Sequence, residues 1–188
     1  FLPPMSGLAA VEPKLESGRL NVLLGEGQTA QVLRNLCYQI YEKSKTNTDW
    51  RELTVQLKNL FGVELMPPQY IKERGEIRMS YKEQSGKQFD LSSSGRGLQQ
   101  TLLLLAHLYA NPKTIILLDE PDAHLHVNLQ REILDYFKQK SFERNTQFLI
   151  ATHAEEFVRG VDASQIVSLL GQEPTRIKST PKVLRAMA

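Results

Sequence analysis

The sequence is poor in several features that would assign it to a specialised class of protein. It has one cysteine, Cys37, in 188 residues, which excludes an internal disulfide and indicates a reducing, cytoplasmic environment. It carries no secretory signal peptide or lipidation motif, and its most apolar stretch, Thr101–Ala110, is too short for a membrane span and contains His107. Lysine and arginine are scattered and the net charge is only +2, so no basic arm marks a nucleic-acid or membrane partner.

The composition is that of an ordinary globular protein. Hydrophobic residues make up 41% of the chain and charged residues 23%. A chain of 188 residues can bury a hydrophobic core as one domain or slightly more. The composition therefore leaves the fold class and the function to be read from local motifs.

The most informative segment is a short aliphatic run that ends in two acids. Residues 115–118 are Ile-Ile-Leu-Leu, and Asp119, Glu120 and Pro121 follow. Four aliphatic residues before a turn signal predict a strand buried on both faces, in the centre of a parallel sheet. Two acids would be costly in a sealed core, but they suit a strand whose carboxyl end opens into a crevice with a cation and an anionic ligand. The alternative is a strand that ends in a charged turn.

A second apolar run, Gln147–Ala151, lies downstream and is followed by Thr152 and His153. Between the two runs, Leu125–Lys140 has an apolar residue every four positions along one face, which predicts a helix. Strand, helix and strand form a βαβ unit with a right-handed crossover, so the two strands would lie parallel. His153 would then share an edge of the sheet with the acid pair and could bind a terminal phosphate, although a lone histidine is more often a polar loop residue.

A loop rich in serine and glycine lies upstream, at Leu91–Gln100, and the nearly all-apolar stretch Thr101–Ala110 follows it. The apolar stretch predicts a buried helix. Serine and glycine before a helix supply a cap and free N–H groups at the positive end of the helix dipole, which is a ready anion site. An ordinary capped helix after a flexible turn is the alternative interpretation.

Together and in this order, the three motifs resemble the second half of an ABC-type ATPase domain of the SMC, RecF and OLD-like branch, which includes AAA_21-like proteins. Residues 94–99, Ser-Gly-Arg-Gly-Leu-Gln, resemble the signature loop, and Asp119-Glu120 resembles Walker B. His153 resembles the switch histidine, and Glu120–His126 is similar to the Glu-Pro-x-x-His-Leu-His form of OLD-like ATPases. The resemblance covers Leu91 to Val158, a little over a third of the chain.

The resemblance implies an α/β fold, a partial P-loop NTPase of the ABC ATPase type. Its expected architecture is a three-layer sandwich with parallel central strands and a helical lobe. Residues 1–90 would form an amino-terminal segment with the helical lobe and a small β hairpin. Residues 91–188 would form the carboxyl-terminal part of the ATPase core.

The resemblance also implies ATP and Mg²⁺ as cofactors and a homodimer that sandwiches the nucleotide. Asp119 would hold the metal, and Glu120 and His153 would be catalytic through the attacking water and the γ-phosphate. Ser94, Gly95 and Gly97 would bind the nucleotide held by the partner subunit. The cellular role would lie in DNA repair, chromosome maintenance or phage defence, with DNA as a possible partner.

The main departure from the family pattern is the missing Gly-x-x-x-x-Gly-Lys-Ser/Thr phosphate loop. The nearest glycine pair, Gly25 and Gly27, lacks both the lysine and the spacing. The chain also begins abruptly at Phe1, without an initiator methionine. These observations predict the carboxyl-terminal portion of a longer ATPase, with negligible ATP hydrolysis by this chain alone. A second departure from the family pattern is Arg96, which separates the two glycines of the signature loop.

Two other function classes stay open. A metal-dependent hydrolase would need nitrogen and oxygen ligands for Zn²⁺ or Mn²⁺. Six residues supply such ligands: Asp119, Glu120, Asp122, His124, His126 and His153. An acid pair at a strand end followed by a helix fits Mg²⁺–phosphate chemistry better. The missing phosphate loop would also suit a non-catalytic dimerisation module that keeps the ATPase fold.

Periodicity and turn signals predict the remaining elements. Phe1–Glu16 is predicted to be irregular, and Cys37 is expected to be a small buried residue. Two helices are predicted over Gln28–Lys43 and Thr48–Phe61. Strands are predicted over Val63–Met66, Glu76–Tyr81 and Lys87–Phe89, the last two forming a hairpin. The chain is predicted to end with a helix at Ala154–Val158, strands at Ile166–Leu170 and Arg176–Lys178, and a helical or frayed tail from Thr180.

Overall fold

The computed structural model describes residues 1–5, 7–43, 46, 48–169, 173–177 and 179. The helices are α1 (Ser17–Gly25), α2 (Leu33–Lys43), α3 (Thr48–Phe61), α4 (Arg96–Ala110), α5 (Val127–Arg144) and α6 (Glu155–Arg159). The strands are β1 (Glu64–Leu65), β2 (Gln69–Ile71), β3 (Glu76–Arg78), β4 (Ser80–Lys82), β5 (Gln88–Asp90), β6 (Ile115–Asp119), β7 (Gln147–Ala151), β8 (Val167–Ser168) and β9 (Thr175–Arg176).

The predicted βαβ unit is present as β6, α5 and β7. The two strands pair in parallel, and their register runs from Ile115 opposite Gln147 to Asp119 opposite Ala151. Helix α5 begins two residues later than predicted, because His126 is its N-cap and accepts a hydrogen bond from the Asn128 amide. The helix ends after Arg144, four residues later than predicted, where Asn145 takes a left-handed conformation.

The prediction that β6 is buried on both faces is wrong. Ile116 and Leu118 are 3% exposed and belong to the main hydrophobic core, whereas Ile115 is 65% exposed and Leu117 is 39% exposed. Leu149 of β7 is also exposed on this sheet. The inward residues share their core with α4 and α5, so the described helices cover one face of the sheet. An aliphatic run alone could not reveal that the other face is uncovered in these residues.

The amino-terminal segment pairs with the sheet through backbone hydrogen bonds. This pairing differs from the irregular structure predicted for Phe1–Glu16. Leu2 forms a parallel bridge with Leu118. The Leu2 amide donates to the Leu117 carbonyl at 2.8 Å, and the Asp119 amide donates to the Leu2 carbonyl at 3.1 Å. The buried Leu2 side chain therefore sits at the position of a third strand, beside β6.

Helices α2, α3 and α4 pack against one another, with small antiparallel sheets beside them. Helix α2 begins at Leu33 rather than Gln28, because a short 3-10 turn at Thr29–Gln31 precedes it, and Cys37 in α2 is buried as expected. The predicted strand Glu76–Tyr81 is two strands. Of these, β3 pairs with β2, and β4 pairs with β1 and β5. The antiparallel pairing of β4 with β5 confirms the predicted hairpin, whereas α1 and β2 were not predicted.

Two strands form near the carboxyl terminus, as predicted. Strand β8 lies within the predicted range, whereas β9 begins one residue earlier than predicted and shares only Arg176 with the predicted strand. Strands β8 and β9 pair antiparallel, with Val167 opposite Arg176. Helix α6 also forms, one residue later than predicted. Leu170, Lys178 and the tail from Thr180 lie outside the described residues.

One hydrophobic core joins residues from both sides of the predicted boundary at residue 90. It contains Leu53 of α3, Leu102 of α4 and Phe137 of α5.

Glu12 and Arg34 form a buried polar pair at the start of α2. The Glu12 carboxylate accepts a hydrogen bond from the backbone amide of Arg34 at 2.9 Å. Burial raises the pKa of this carboxyl despite this hydrogen bond.

Replacing Leu53 with alanine should lower the free energy of unfolding by about 2–5 kcal/mol, because truncating a buried leucine leaves a cavity. Leu53 is 0% exposed, whereas Val55 on the same helix is 51% exposed. Val55→Ala should therefore change the free energy of unfolding by no more than about 0.5 kcal/mol. Urea unfolding followed by far-UV circular dichroism measures both variants. Equal effects would contradict the burial assigned to α3.

Candidate functional site

The carboxyl end of β6 forms a tight turn that directs Glu120 along the sheet edge. Glu120 has a φ of 45°, in the left-handed region that non-glycine residues rarely adopt. Its amide donates to the Ala151 carbonyl at the end of β7, at 2.8 Å. Strain of this kind costs on the order of 1–3 kcal/mol and persists only where the surroundings impose it. Here the backbone bond to β7 is one such constraint.

Glu120 and His153 meet at this edge, as the parallel strands predicted. His153 Nδ1 lies 2.8 Å from Glu120 Oε2, an oxygen that is shielded from solvent. The His153 side chain itself is 83% exposed. The hydrogen bond to Glu120, followed by the charge of that carboxylate, raises the pKa of His153 above its ordinary value. An acid and an imidazole thus share one open edge of the sheet.

A second contact links the loops after β6 and β7. The Thr152 hydroxyl donates a short hydrogen bond to Asp122 Oδ1 and accepts the Ala154 amide at 3.0 Å. Asp122 is buried. The sequence placed Thr152 directly before His153 but gave no signal that its hydroxyl reaches across to Asp122, because that contact depends on the path of both loops.

Asp119 is the last residue of β6 and is partly buried. Its carboxylate takes part in none of the hydrogen bonds or ion pairs between the described residues. A free carboxylate at a strand end is the hard oxygen donor that Mg²⁺ prefers, usually with water and phosphate oxygens completing the shell. Asp119 therefore fits the predicted role of metal ligand.

The predicted signature loop lies at the start of α4. The Ser94 hydroxyl is turned inward and donates to the Leu91 carbonyl at 2.7 Å, and Gly95 is the exposed N-cap of the helix. A Cβ on Gly97 would lie 3.1 Å from the His124 carbonyl oxygen. Gly97 thus allows α4 to pack closely against the loop after β6. Ser94, Gly95 and Gly97 are not among the hydrogen-bond partners of Glu120 and His153.

The alternative of a metal-dependent hydrolase gains no geometric support. Among the residues that the structure describes, no three histidine, cysteine, aspartate or glutamate side chains come together in a group that could hold a metal ion. Glu120 and His153 bind each other instead.

A family model identifies the kind of protein that this chain resembles. The family described as "AAA domain, putative AbiEii toxin, Type IV TA system" matches residues 31–159, more than half of the chain. The matched region contains the predicted signature loop, the acid pair and His153.

Three relatives are ATP-binding proteins by name. The oligopeptide transport ATP-binding protein AppD of Bacillus subtilis (strain 168) is 29% identical over 133 residues, covering 71% of this chain and 35% of AppD. The lipoprotein-releasing system ATP-binding protein LolD 2 of Chlorobaculum tepidum is 30% identical over 91 residues, covering 48% and 37%. The probable ABC transporter ATP-binding protein PEB1C of Campylobacter jejuni (strain 81-176) is 26% identical over 176 residues, covering 88% and 71%. The chain thus spans little more than a third of the length of AppD and LolD 2.

Solved structures share the fold. A chain described under "Structural biochemistry of ATP-driven dimerization and DNA stimulated activation of SMC ATPases" has a TM-score of 0.61 at 18% identity, covering 82% of this chain and 94% of that one. The Smc head domain with a coiled coil and joint from Pyrococcus yayanosii has a TM-score of 0.59 at 17% identity, covering 89% and 31%. These likenesses confirm the predicted α/β fold class. The family model and the relatives confirm the resemblance to ABC-type ATPases, and the SMC heads share the fold. No helix within the described ranges is long and apolar enough to cross a bilayer.

Glu120→Gln should lower the pKa of His153 towards the ordinary imidazole value of about 6.5, because it removes the charge that favours the protonated ring. Since the folded-state pKa is raised, the pair stabilises the fold fully below that ordinary value and loses its effect as the pH rises through the raised value. NMR titration of the histidine ring protons measures the change.

His107 provides the control within the same spectra. It lies in α4, where burial lowers its pKa to about 4, and Glu120→Gln should leave that value unchanged. An unaltered His153 titration in the variant would contradict the Glu120–His153 contact.

Proposed function

The chain belongs to the family described as "AAA domain, putative AbiEii toxin, Type IV TA system", and we propose that it carries the hydrolytic half of an ATPase site. The observation that carries this proposal is the 2.8 Å contact between Glu120 and His153. This contact lies at the carboxyl ends of two parallel strands, where α/β sheets bind their ligands. A carboxylate and an imidazole at such an edge suit the activation of water beside a phosphate.

Each residue at the edge has a distinct proposed task. Asp119 would hold Mg²⁺, which when bound neutralises charge on phosphate oxygens. Glu120 orients the attacking water and accepts its proton, while His153 donates a hydrogen bond to the terminal phosphate of ATP. The exposed His153 ring would turn from Glu120 Oε2 to that phosphate. This movement would free the shielded carboxylate oxygen for the water.

The phosphate loop would come from polypeptide outside these residues. Strand β7 pairs with β6 along one edge, and no strand in the described part of the chain pairs with its other edge. The outward residues Ile115 and Leu149 are 65% and 66% exposed, which leaves an apolar face that a further layer would cover. A strand beside β7 and a helix over this face would complete the nucleotide site.

We further propose a homodimer closed by ATP, in which Ser94, Gly95 and Gly97 of one subunit face the nucleotide held by the other. The first structural neighbour is described as an SMC ATPase with ATP-driven dimerisation and DNA-stimulated activation, which supports this assembly. The inward Ser94 hydroxyl would have to rotate away from Leu91 to reach a phosphate. A role in DNA repair, maintenance or phage defence and a cytoplasmic location extend the same proposal.

In a chain extended at its amino end to include a phosphate loop, Glu120→Gln should slow ATP turnover by at least about 100-fold, because the variant loses its general base. Binding of ATP should persist, because the substitution removes no phosphate ligand. Phosphate release measures turnover, and calorimetry measures the affinity for ATP.

Glu132→Gln provides the matched control. Glu132 is exposed on α5, so its substitution should leave both measurements at the level of the unmodified protein. The 188-residue chain without the extension should hydrolyse ATP at background rates. Full turnover by the Glu120→Gln variant would refute the assigned role.

A further inference from the structure

The segment that carries His153 has little regular structure to hold it. Residues 152–154 lie between the end of β7 and the start of α6 and belong to neither element. The His153 ring is 83% exposed, so packing does not fix its position. The distance between His153 and Glu120 must therefore be set by the bonds that hold the backbone on either side.

Two bonds link the loop after β6 to the loop after β7. The first is the backbone bond from the Glu120 amide to the Ala151 carbonyl, at 2.8 Å. The second is the short hydrogen bond from the Thr152 hydroxyl to Asp122. Both bonds lie next to the Glu120–His153 contact in sequence. Ala151 and Thr152 directly precede His153, and Asp122 follows Glu120 by two residues.

The Thr152 hydroxyl is used in two directions. It donates to Asp122 and accepts the amide of Ala154, the N-cap residue of α6. Asp122 is buried, and a hydrogen bond to a buried carboxylate is stronger than one between neutral groups. The Asp122 carbonyl also accepts the Leu125 amide at 3.0 Å, which holds the loop after β6 in its turn. Thr152 and Asp122 are therefore each held by a further hydrogen bond besides the one that joins them.

We propose that Thr152 is a positioning residue whose hydroxyl, bound to Asp122, holds the His153 segment at the distance where the imidazole meets Glu120. If the chain is part of the ATPase proposed above, the Thr152–Asp122 hydrogen bond would also hold the water-activating Glu120 next to the phosphate-binding His153. Only this catalytic role rests on the proposed function, because the hydrogen bond forms without nucleotide.

The test measures how strongly Glu120 acts on His153 in different Thr152 backgrounds. The pKa of His153 is measured by NMR with and without Glu120→Gln, in the unmodified chain, in Thr152→Val and in Thr152→Ser. Valine keeps the branched shape and removes the hydroxyl, whereas serine keeps the hydroxyl. We expect Thr152→Val to reduce the shift caused by Glu120→Gln by at least half, and Thr152→Ser to preserve it.

Asp122→Asn removes the negative charge of Asp122 but keeps an acceptor for the hydrogen bond from the Thr152 hydroxyl. The Asp122 charge itself contributes to the raised pKa of His153, so the absolute value should fall in this variant. The asparagine oxygen can still accept the Thr152 hydroxyl. The shift caused by Glu120→Gln should therefore be preserved in Asp122→Asn.

A folded Thr152→Val variant with the full Glu120→Gln shift would overturn the proposal, and so would loss of that shift in Thr152→Ser. Far-UV circular dichroism establishes that each variant is folded. If the valine variant does not fold, Thr152→Ala takes its place. A reduced Glu120→Gln shift in this variant would support the proposal, and a full shift would overturn it. No nucleotide enters the experiment, so its failure is distinct from failure of the ATPase proposal, which phosphate release tests.

Discussion

The parallel pairing of β6 with β7 is the constraint on which the candidate site depends. Its register places Asp119 opposite Ala151, so the next residues of both strands leave the sheet side by side. The bond from the Glu120 amide to the Ala151 carbonyl extends this pairing by one step beyond the ladder. Glu120 is thereby held in a left-handed conformation, and its side chain meets His153. A shift of one residue in the register would send these side chains to opposite faces.

The helix α4 connects this edge to the rest of the molecule. Gln100, which is buried in α4, accepts the Met5 amide at 2.6 Å and donates to the Pro121 carbonyl at 3.4 Å. Close packing of Gly97 against the His124 carbonyl adds a second link between α4 and the loop after β6. The predicted signature loop and the acid pair are therefore parts of one packed unit.

Periodicity and strand-end chemistry predicted the βαβ unit, the buried helix α4 and the meeting of Glu120 with His153, because these follow from regular hydrogen bonding. The predicted burial of both faces of β6 was wrong, since Ile115 is exposed and a run of aliphatic residues does not reveal which layers surround it. The pairing of Leu2 with β6 and the Thr152–Asp122 bond could not be predicted. Both are contacts between distant residues without a sequence period.

The most direct test is a crystal structure of the full-length protein with Mg²⁺ and a non-hydrolysable ATP analogue. The account predicts that the terminal phosphate lies at the carboxyl ends of β6 and β7. There, Glu120 would be within hydrogen-bond reach, about 2.6–3.2 Å, of a water in line with that phosphate, and His153 would contact a phosphate oxygen. A nucleotide bound elsewhere, with Glu120 and His153 still paired to each other, would contradict it.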